Sequence, residues 1–262
     1  MRWLDRLARR NPEATVAERM AAALTAAQRH DYDAALALWE PLARAGIARA
    51  QNNIGACFAE GLGVKRDTTL ALRWLSLSAE AGDPVGQRNL AALYFKGEDV
   101  AQNYDLAAEL YRAAAEQGDG PAQDMLSWML AEGEIVAADF VEARHWALAA
   151  SAQGIASSMT RLGMIYYNAL AVERDAAEAV HWWRRGAERG DADGQAMLGA
   201  AYHLGSGISR DDLIACAWLL RAQAAGSPLA STYLAAAQAG LSSDQIAEAK
   251  YRAALPLTEP QP

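Results

Sequence analysis

The sequence predicts an all-α fold, a solenoid of 36-residue helix-turn-helix repeats. The stretch EGLGVKRD begins at Glu60, and a stretch of the same design, LGSGISRD, begins at Leu204, 144 residues later. That distance is four periods of 36, a repeat length typical of stacked helical hairpins. The composition agrees, because alanine dominates the apolar residues and the chain has only eight prolines.

Residues at the same place in each period form columns that no insertion or deletion interrupts. One column is glycine, one alanine, one mostly tryptophan, one mostly leucine, and the last consists of small residues. In that order they are Gly46, Gly82, Gly118, Gly154, Gly190 and Gly226; Ala71, Ala107, Ala143, Ala179 and Ala215; Trp74, Leu110, Trp146, Trp182 and Trp218; Ile54, Leu90, Leu126, Leu162, Leu198 and Leu234; Gly55, Ala91, Ser127, Gly163, Gly199 and Ala235.

The first helix of each repeat, helix A, is predicted by one stripe of small and apolar residues. In the first full repeat Ala50, Ile54 and Phe58 recur every four residues, which places them on one helix face. Gly55 lies beside Ile54 on that face. We expect its small size to let a neighbouring helix approach closely.

The stretch from Glu60 to Asp67 is then the turn between helix A and helix B. Its glycines permit unusual backbone angles, and Asp67 is predicted to cap helix B. A phosphate-binding loop would need a preceding strand and a third glycine or a GK[ST] sequence, which the stretch lacks. In the fourth repeat Ala169 and Ala171 replace the glycines, which leaves a tighter or more helical turn open there.

Helix B is predicted by the spacing of Ala71, Trp74 and Ser78, which lie three and then four residues apart. The tryptophan column is predicted to lie in the core. Trp39 lies one place off that column. Gly82 and its copies suit the left-handed conformation that ends a helix.

The repeats give the domain organisation. Five full repeats are predicted between two capping helix pairs and two tails, all in one solenoid domain over residues 12–255. The NPEA sequence at Asn11–Ala14 predicts an N-cap followed by a first-turn proline, and therefore a first helix over about residues 12–29. The SSDQ sequence from Ser242 predicts a capped last helix. In order, the segments are 1–11 (tail), 12–46 (cap), 47–82, 83–118, 119–154, 155–190, 191–226, 227–255 (cap) and 256–262 (disordered tail).

The charge and the apolar pattern disfavour several classes of partner. The formal net charge of −8 disfavours nucleic acid and anionic membrane surfaces. No apolar run approaches the ~20 residues that span a bilayer. The basic start lacks the continuous apolar segment of a secretory signal. The sequence therefore predicts a cytoplasmic protein.

Catalytic and metal-binding patterns are weak. His145 and His181 lie one period apart on helix B and are predicted to be exposed, without the HExxH pattern of a zinc site. Cys57 and Cys216 have no CxxC companion and are predicted to be buried, reduced thiols. We therefore expect no catalytic residues, no metal and no cofactor.

The columns resemble those of Sel1-like repeat proteins, the 36-residue relatives of the tetratricopeptide family. The resemblance rests on SMTRLGMIY at Ser158–Tyr166, on the EGLGV turn and on DAAEAVHW at Asp175–Trp182. It covers about residues 31–240 and departs at Leu110, which replaces tryptophan, and at the fourth turn. It implies a right-handed α/α superhelix with helices A on the concave side.

The resemblance also implies which residues face a concave groove. The aromatic ones break the small or polar character of their columns and are either binding anchors or fillers between helices, a choice that the sequence leaves open. The candidate groove residues are Arg49, Asn52, Arg88, Phe95, Lys96, Asp124, Trp128, Thr160, Met164, Tyr167, Asn168 and His203, with Ala56, Glu60, Glu132, Asp193 and Leu204 in the same registers.

These observations predict a non-enzymatic adaptor or scaffold that binds a peptide or helix of a partner protein on its concave helix-A surface. A regulatory subunit of an enzyme or signalling complex remains an alternative, since a shared scaffold does not fix function. A helical-repeat RNA binder is a further alternative, which the acidic charge disfavours.

Overall fold

The computed structural model describes residues 15–257, which hold fourteen helices and no strand. Odd-numbered helices are the predicted helices A, and even-numbered ones are helices B. The all-helical repeat fold is confirmed. The helices are α1 (Val16–Gln28), α2 (Tyr32–Arg44), α3 (Ala48–Glu60), α4 (Thr68–Glu80), α5 (Pro84–Lys96), α6 (Tyr104–Glu116), α7 (Gly120–Glu132), α8 (Phe140–Ala152), α9 (Ala156–Tyr167), α10 (Ala176–Glu188), α11 (Ala192–Leu204), α12 (Asp212–Ala224), α13 (Ala230–Ala239) and α14 (Ser243–Ala254).

The chain divides into two compact units, Met1–Ala122 and Gln123–Pro262, whose boundary lies inside α7. Within each unit consecutive helices pack together, as α3 does with α4 and α9 with α10. Helices A of successive repeats also contact one another in the pairs α3 with α5, α9 with α11 and α11 with α13. The second contact brings side chains from the same register of successive helices A onto one surface.

Both predicted ends of helix B are confirmed. The Asp67 carboxylate accepts a hydrogen bond from the backbone N–H of Leu70 at 2.9 Å, and its copies in the other four repeats do the same. The six glycines that follow the helices B all have φ between 82° and 88°. No neighbouring atom lies within 4 Å of a Cβ added at these glycines, so a side chain there would meet no clash. It would be strained only by the left-handed backbone.

The first helix of the described residues begins later than the sequence predicts for helix A of the N-terminal cap. Thr15 is the N-cap of α1 in an extended conformation, and it forms a capping box with Glu18. The helix therefore starts at Val16 rather than at residue 12. The predicted cap at Asn11 and the tail over 1–11 lie outside the described residues, as do residues 258–262. At the other end Ser242 caps α14 as predicted, in a capping box with Gln245.

The fourth turn keeps a glycine-like backbone without glycine. Ala169 and Ala171 have φ of 57° and 54°, in the left-handed region that Gly61 and Gly63 occupy in the first full repeat. Helix α9 has 12 residues where α3 has 13, and it ends one register position earlier. The turn is therefore not more helical, and its two alanines hold a backbone that their Cβ atoms disfavour.

We expect the double variant Ala169→Gly/Ala171→Gly to be more stable by about 0.5–1 kcal/mol. Relief of left-handed strain exceeds the entropy that glycine adds to the unfolded chain. The free energy of unfolding, measured by chemical denaturation, checks this. The matched change Ala176→Gly, at the start of α10, should lower stability instead, and equal loss from both would contradict the account.

The tryptophan column is only partly core. Trp146 and Trp182 are each 8% exposed, whereas Trp74 and Trp218 are half-buried and pack against the edges of buried clusters. The column one position later in the sequence is more deeply buried, and its first member is Trp39. We call it the deep column. Its members are at most 4% exposed: Trp39, Leu75, Tyr111, Ala147, Trp183 and Leu219.

The deep column packs on the small-residue column of helix A. A Cβ on Gly55 would lie 2.7 Å from Leu75 Cγ, and one on Gly199 would lie 2.7 Å from Leu219 Cγ. At Gly163 the added atom would overlap the Trp183 indole. Each glycine therefore receives the large side chain of its own helix B, and the interhelical distance of the repeat depends on that match.

Candidate functional site

A cleft of about 430 Å³ opens on the helix-A surface of the second unit, and we call it the Met164 cleft. Most of its lining residues belong to helices α7, α9 and α11, and Leu229, just before α13, also lines it. Its fourteen lining residues are Trp128, Ala131, Glu132, Ser157, Thr160, Arg161, Met164, Ile165, Asn168, Leu170, Asp191, Asp193, Met197 and Leu229. Six of the predicted groove residues and register mates share it, namely Trp128, Glu132, Thr160, Met164, Asn168 and Asp193.

A smaller cavity of about 170 Å³ adjoins the cleft and shares Met164, Asn168 and Met197 with it. Its other walls include Tyr167 and Trp183. Trp183 is 3% exposed and belongs to a buried cluster against which Met164, Tyr167 and Met197 pack. Trp183, a member of the deep column, therefore packs against apolar side chains that line the cleft.

An ionic network fixes α7 against α9 at the cleft wall. The Asp124 carboxylate accepts from Arg161 at 2.8 Å and from the hydroxyls of Ser157 and Ser158 at 2.9 and 2.5 Å. Burial of Asp124 opposes its ionisation, but Arg161 and the two hydroxyls outweigh that effect and lower its pKa. Asp124 is therefore a charged, structural partner of Arg161.

Two further carboxylates line the cleft at the start of α11. Asp191 caps the helix, and its Oδ1 accepts from the Gly194 N–H at 2.7 Å and from the Thr160 hydroxyl at 2.6 Å. Asp193 Oδ1 accepts from the Ser227 hydroxyl at 2.6 Å. Positions at a helix N-terminus favour such negative charges.

The aromatic candidates divide by their contacts. The Tyr167 ring packs on Trp183 with centroids 5.3 Å apart, and the Arg174 guanidinium lies 5.0 Å from the Tyr167 ring. His203 Nδ1 lies 2.7 Å from Asp212 Oδ1. Tyr167 and His203 thus contact neighbouring residues of the protein. Trp128 is half-buried and lines the cleft.

None of the candidates of the first unit is among the lining residues of the cleft. Arg49 pairs with Asp83 at 2.7 Å, and Arg88 with Asp119 at 2.8 Å. Asn52 is 3% exposed and accepts from the Asn89 side chain at 2.8 Å.

The two remaining candidates of the first unit are Phe95 and Lys96. The Phe95 ring meets Tyr104 edge to face at 5.4 Å. Lys96 is exposed and lines two shallow cavities together with Glu60. Arg49, Arg88 and Asn52 are thus engaged with neighbouring repeats, while Lys96 faces open space.

Sequence reasoning missed Arg161, Met197 and Leu229 as lining residues. Arg161 and Met197 share a register three residues before Met164 and Ala200, so the same helical face carries them. Leu229 occupies the register of Asp193. These three lining residues could have been predicted from their registers, because residues three and four apart on helix A lie on one surface.

The burial of the two cysteines and the exposure of the two helix-B histidines agree with the sequence prediction. Cys57 and Cys216 are free and buried, and burial raises the pKa of the Cys57 thiol to about 11. His145 and His181 are exposed beside Trp146 and Trp182. Residues 15–257 contain no group of three potential metal ligands. Within the same range no helix is long and apolar enough to cross a membrane.

Comparison with known proteins agrees with the architecture. The chain is 27% identical to a Sel1 repeat protein from Oxalobacter formigenes, with a TM-score of 0.80 over 93% of this chain and 99% of that one. The structure also resembles c5321, a protective antigen of uropathogenic Escherichia coli with an SLR fold, at 22% identity and a TM-score of 0.60. That match covers 96% of this chain and 62% of the antigen. No curated protein matches the chain.

The family model for the Sel1 repeat matches five consecutive segments, residues 48–83, 84–119, 120–155, 156–191 and 192–227. The matched segments cover more than half of the chain, and each begins at the start of a helix A. The chain therefore belongs to the Sel1 repeat family.

Proposed function

We propose that this protein is a non-enzymatic adaptor that binds a segment of a partner protein in the Met164 cleft. The observation that carries the proposal is the cleft itself, an open site with apolar walls on the surface that successive helices A share. Its volume of about 430 Å³ lies within the ~300–1,000 Å³ range of binding pockets. A tryptophan in such a wall is the residue type most enriched among binding hot spots.

The chemistry of the lining supports binding rather than catalysis. Neither histidine nor cysteine is among the fourteen lining residues. Asp124 and Asp191 accept hydrogen bonds from α9, and Asp193 accepts one from Ser227, which precedes α13. The two methionines of the lining are flexible and polarizable, which suits a surface that adapts to an incoming side chain. Carboxylates at the cleft also repel phosphates, so they favour a protein partner over RNA.

A photo-cross-linking residue at Asn168, which is exposed in the cleft, should capture the partner from native lysate. The same residue at Val141, which is 69% exposed on α8, is the matched control. Adding Trp128→Ala should reduce the Asn168 adduct by at least about tenfold, because hot-spot truncation costs 2 kcal/mol or more. An adduct that forms equally at Asn168 and Val141 would contradict the proposal. So would an Asn168 adduct whose yield Trp128→Ala does not change.

A further inference from the structure

We infer that the partner segment carries a lysine or arginine beside a bulky apolar side chain. This inference rests on the proposed function and specifies the chemistry of the partner that fits the Met164 cleft.

The charges of the cleft favour a cation. Its fourteen lining residues, all within the described part of the chain, include three carboxylates (Glu132, Asp191 and Asp193) and one guanidinium (Arg161). Arg161 is already paired with Asp124 at 2.8 Å, and both side chains are less than 20% exposed. The lining therefore presents an excess of negative charge that its own arginine does not neutralise.

These carboxylates retain capacity to accept hydrogen bonds. The hydrogen bonds to Asp191 and Asp193 from residues 15–257 all reach Oδ1, which leaves the second oxygen of each for a ligand. Glu132 is exposed, and its carboxylate forms no hydrogen bond or ion pair with residues 15–257. It is the last residue of α7, where the negative end of the helix dipole adds to its attraction for a cation. A guanidinium or ammonium group supplies donors that suit such oxygens.

The apolar part of the cleft lies beside the carboxylates. Met164, Met197 and Ile165 belong to the same lining as Asp191 and Asp193, with Trp128 and Leu229 on other walls. Lysine and arginine have long aliphatic stems that pack on apolar surface while the charged end reaches an acceptor. A neighbouring aromatic or aliphatic side chain of the partner would fill the remaining volume. The lining thus matches a cation and an apolar group held close together.

Selection from a displayed library of random short peptides, with the full chain as bait, tests the inference. Peptides that bind the unaltered protein should be enriched in Lys or Arg next to Trp, Phe, Leu or Met. Their binding to the double variant Glu132→Gln/Asp193→Asn should be roughly threefold to tenfold weaker, the range for two partly exposed charge pairs. The matched control Asp105→Asn/Glu109→Gln removes two exposed carboxylates of α6 and should change nothing.

The other outcomes overturn the inference in distinguishable ways. Selected peptides that lack basic residues, but that lose binding to the Trp128→Ala or Asn168→Arg variant, would overturn the charge requirement and leave the adaptor proposal standing. A selection that yields no peptide sensitive to these cleft variants would overturn both. Asn168 is exposed at the end of α9, so Asn168→Arg tests the cleft without removing a core side chain.

Discussion

Gly163→Ala is expected to destabilise the protein by about 1–3 kcal/mol, and the same change in a Trp183→Ala background is expected to be stabilising. The added methyl would overlap the indole of Trp183, which fills the space over Gly163. Overpacking of this kind costs about 1–3 kcal/mol. Without the indole the overlap disappears, and alanine then gains up to about 1 kcal/mol from its higher helix propensity.

Trp183→Ala alone should cost about 3–5 kcal/mol, because the side chain is 3% exposed and its loss leaves a cavity. The three variants and the parent protein form a double-mutant cycle, measured as free energies of unfolding in denaturant. Leu77→Ala, at a position that is 46% exposed, is the surface control. The same destabilising effect of Gly163→Ala in both backgrounds would show that the indole does not set the helix spacing.

Asp124→Ala is expected to cost about 3 kcal/mol, near the lower end for breaking a buried ion pair. The substitution leaves the Arg161 guanidinium, which is 13% exposed, without its carboxylate, and it removes the acceptor of the Ser157 and Ser158 hydroxyls. Truncating the exposed pair of Arg66 and Glu98 by Glu98→Ala should cost less than about 1 kcal/mol.

The pH dependence of this effect has a defined sign. The pKa of Asp124 is lower in the folded protein than in the unfolded chain, although burial alone would raise it. Its contribution to stability is therefore complete above the unfolded value of about 3.9 and is lost as the pH falls through the lower folded value. The difference in unfolding free energy between the parent and Asp124→Ala should thus be largest at neutral pH and shrink below about pH 4. A difference that does not change with pH would contradict the ionic account.

Most of the repeat could be predicted from the sequence because its constraints are local. Caps such as Asp67 and the helix-ending glycines depend on the backbone of a few residues, so the same residue type recurs at every copy. The deep column was not predicted because its positions require a side chain whose volume complements the facing residue of helix A. They do not require one particular residue type. Trp183 and Leu219 both face glycine, and the column also holds Tyr111 and Ala147, so residue identity alone conceals it.

The candidate site was predictable in register but not in shape. The register predicted that Trp128, Met164 and Asn168 share a surface, and the three line one cleft. The depth of that cleft depends on neighbouring side chains such as Met197 and on the Asp124–Arg161 pair. Those contacts join different repeats, and their residue types change from repeat to repeat, as from Asn52 and Asn89 to Asp124 and Arg161.

If a partner segment occupies the Met164 cleft, a captured or selected binder should change the hydrogen exchange of the full chain there. New protection is expected in the second half of α9 and the start of α11, which include Met164 and Asp193, with little change in α8 and α10. Protection confined to the helices B, or found in neither set, would contradict occupation of the cleft.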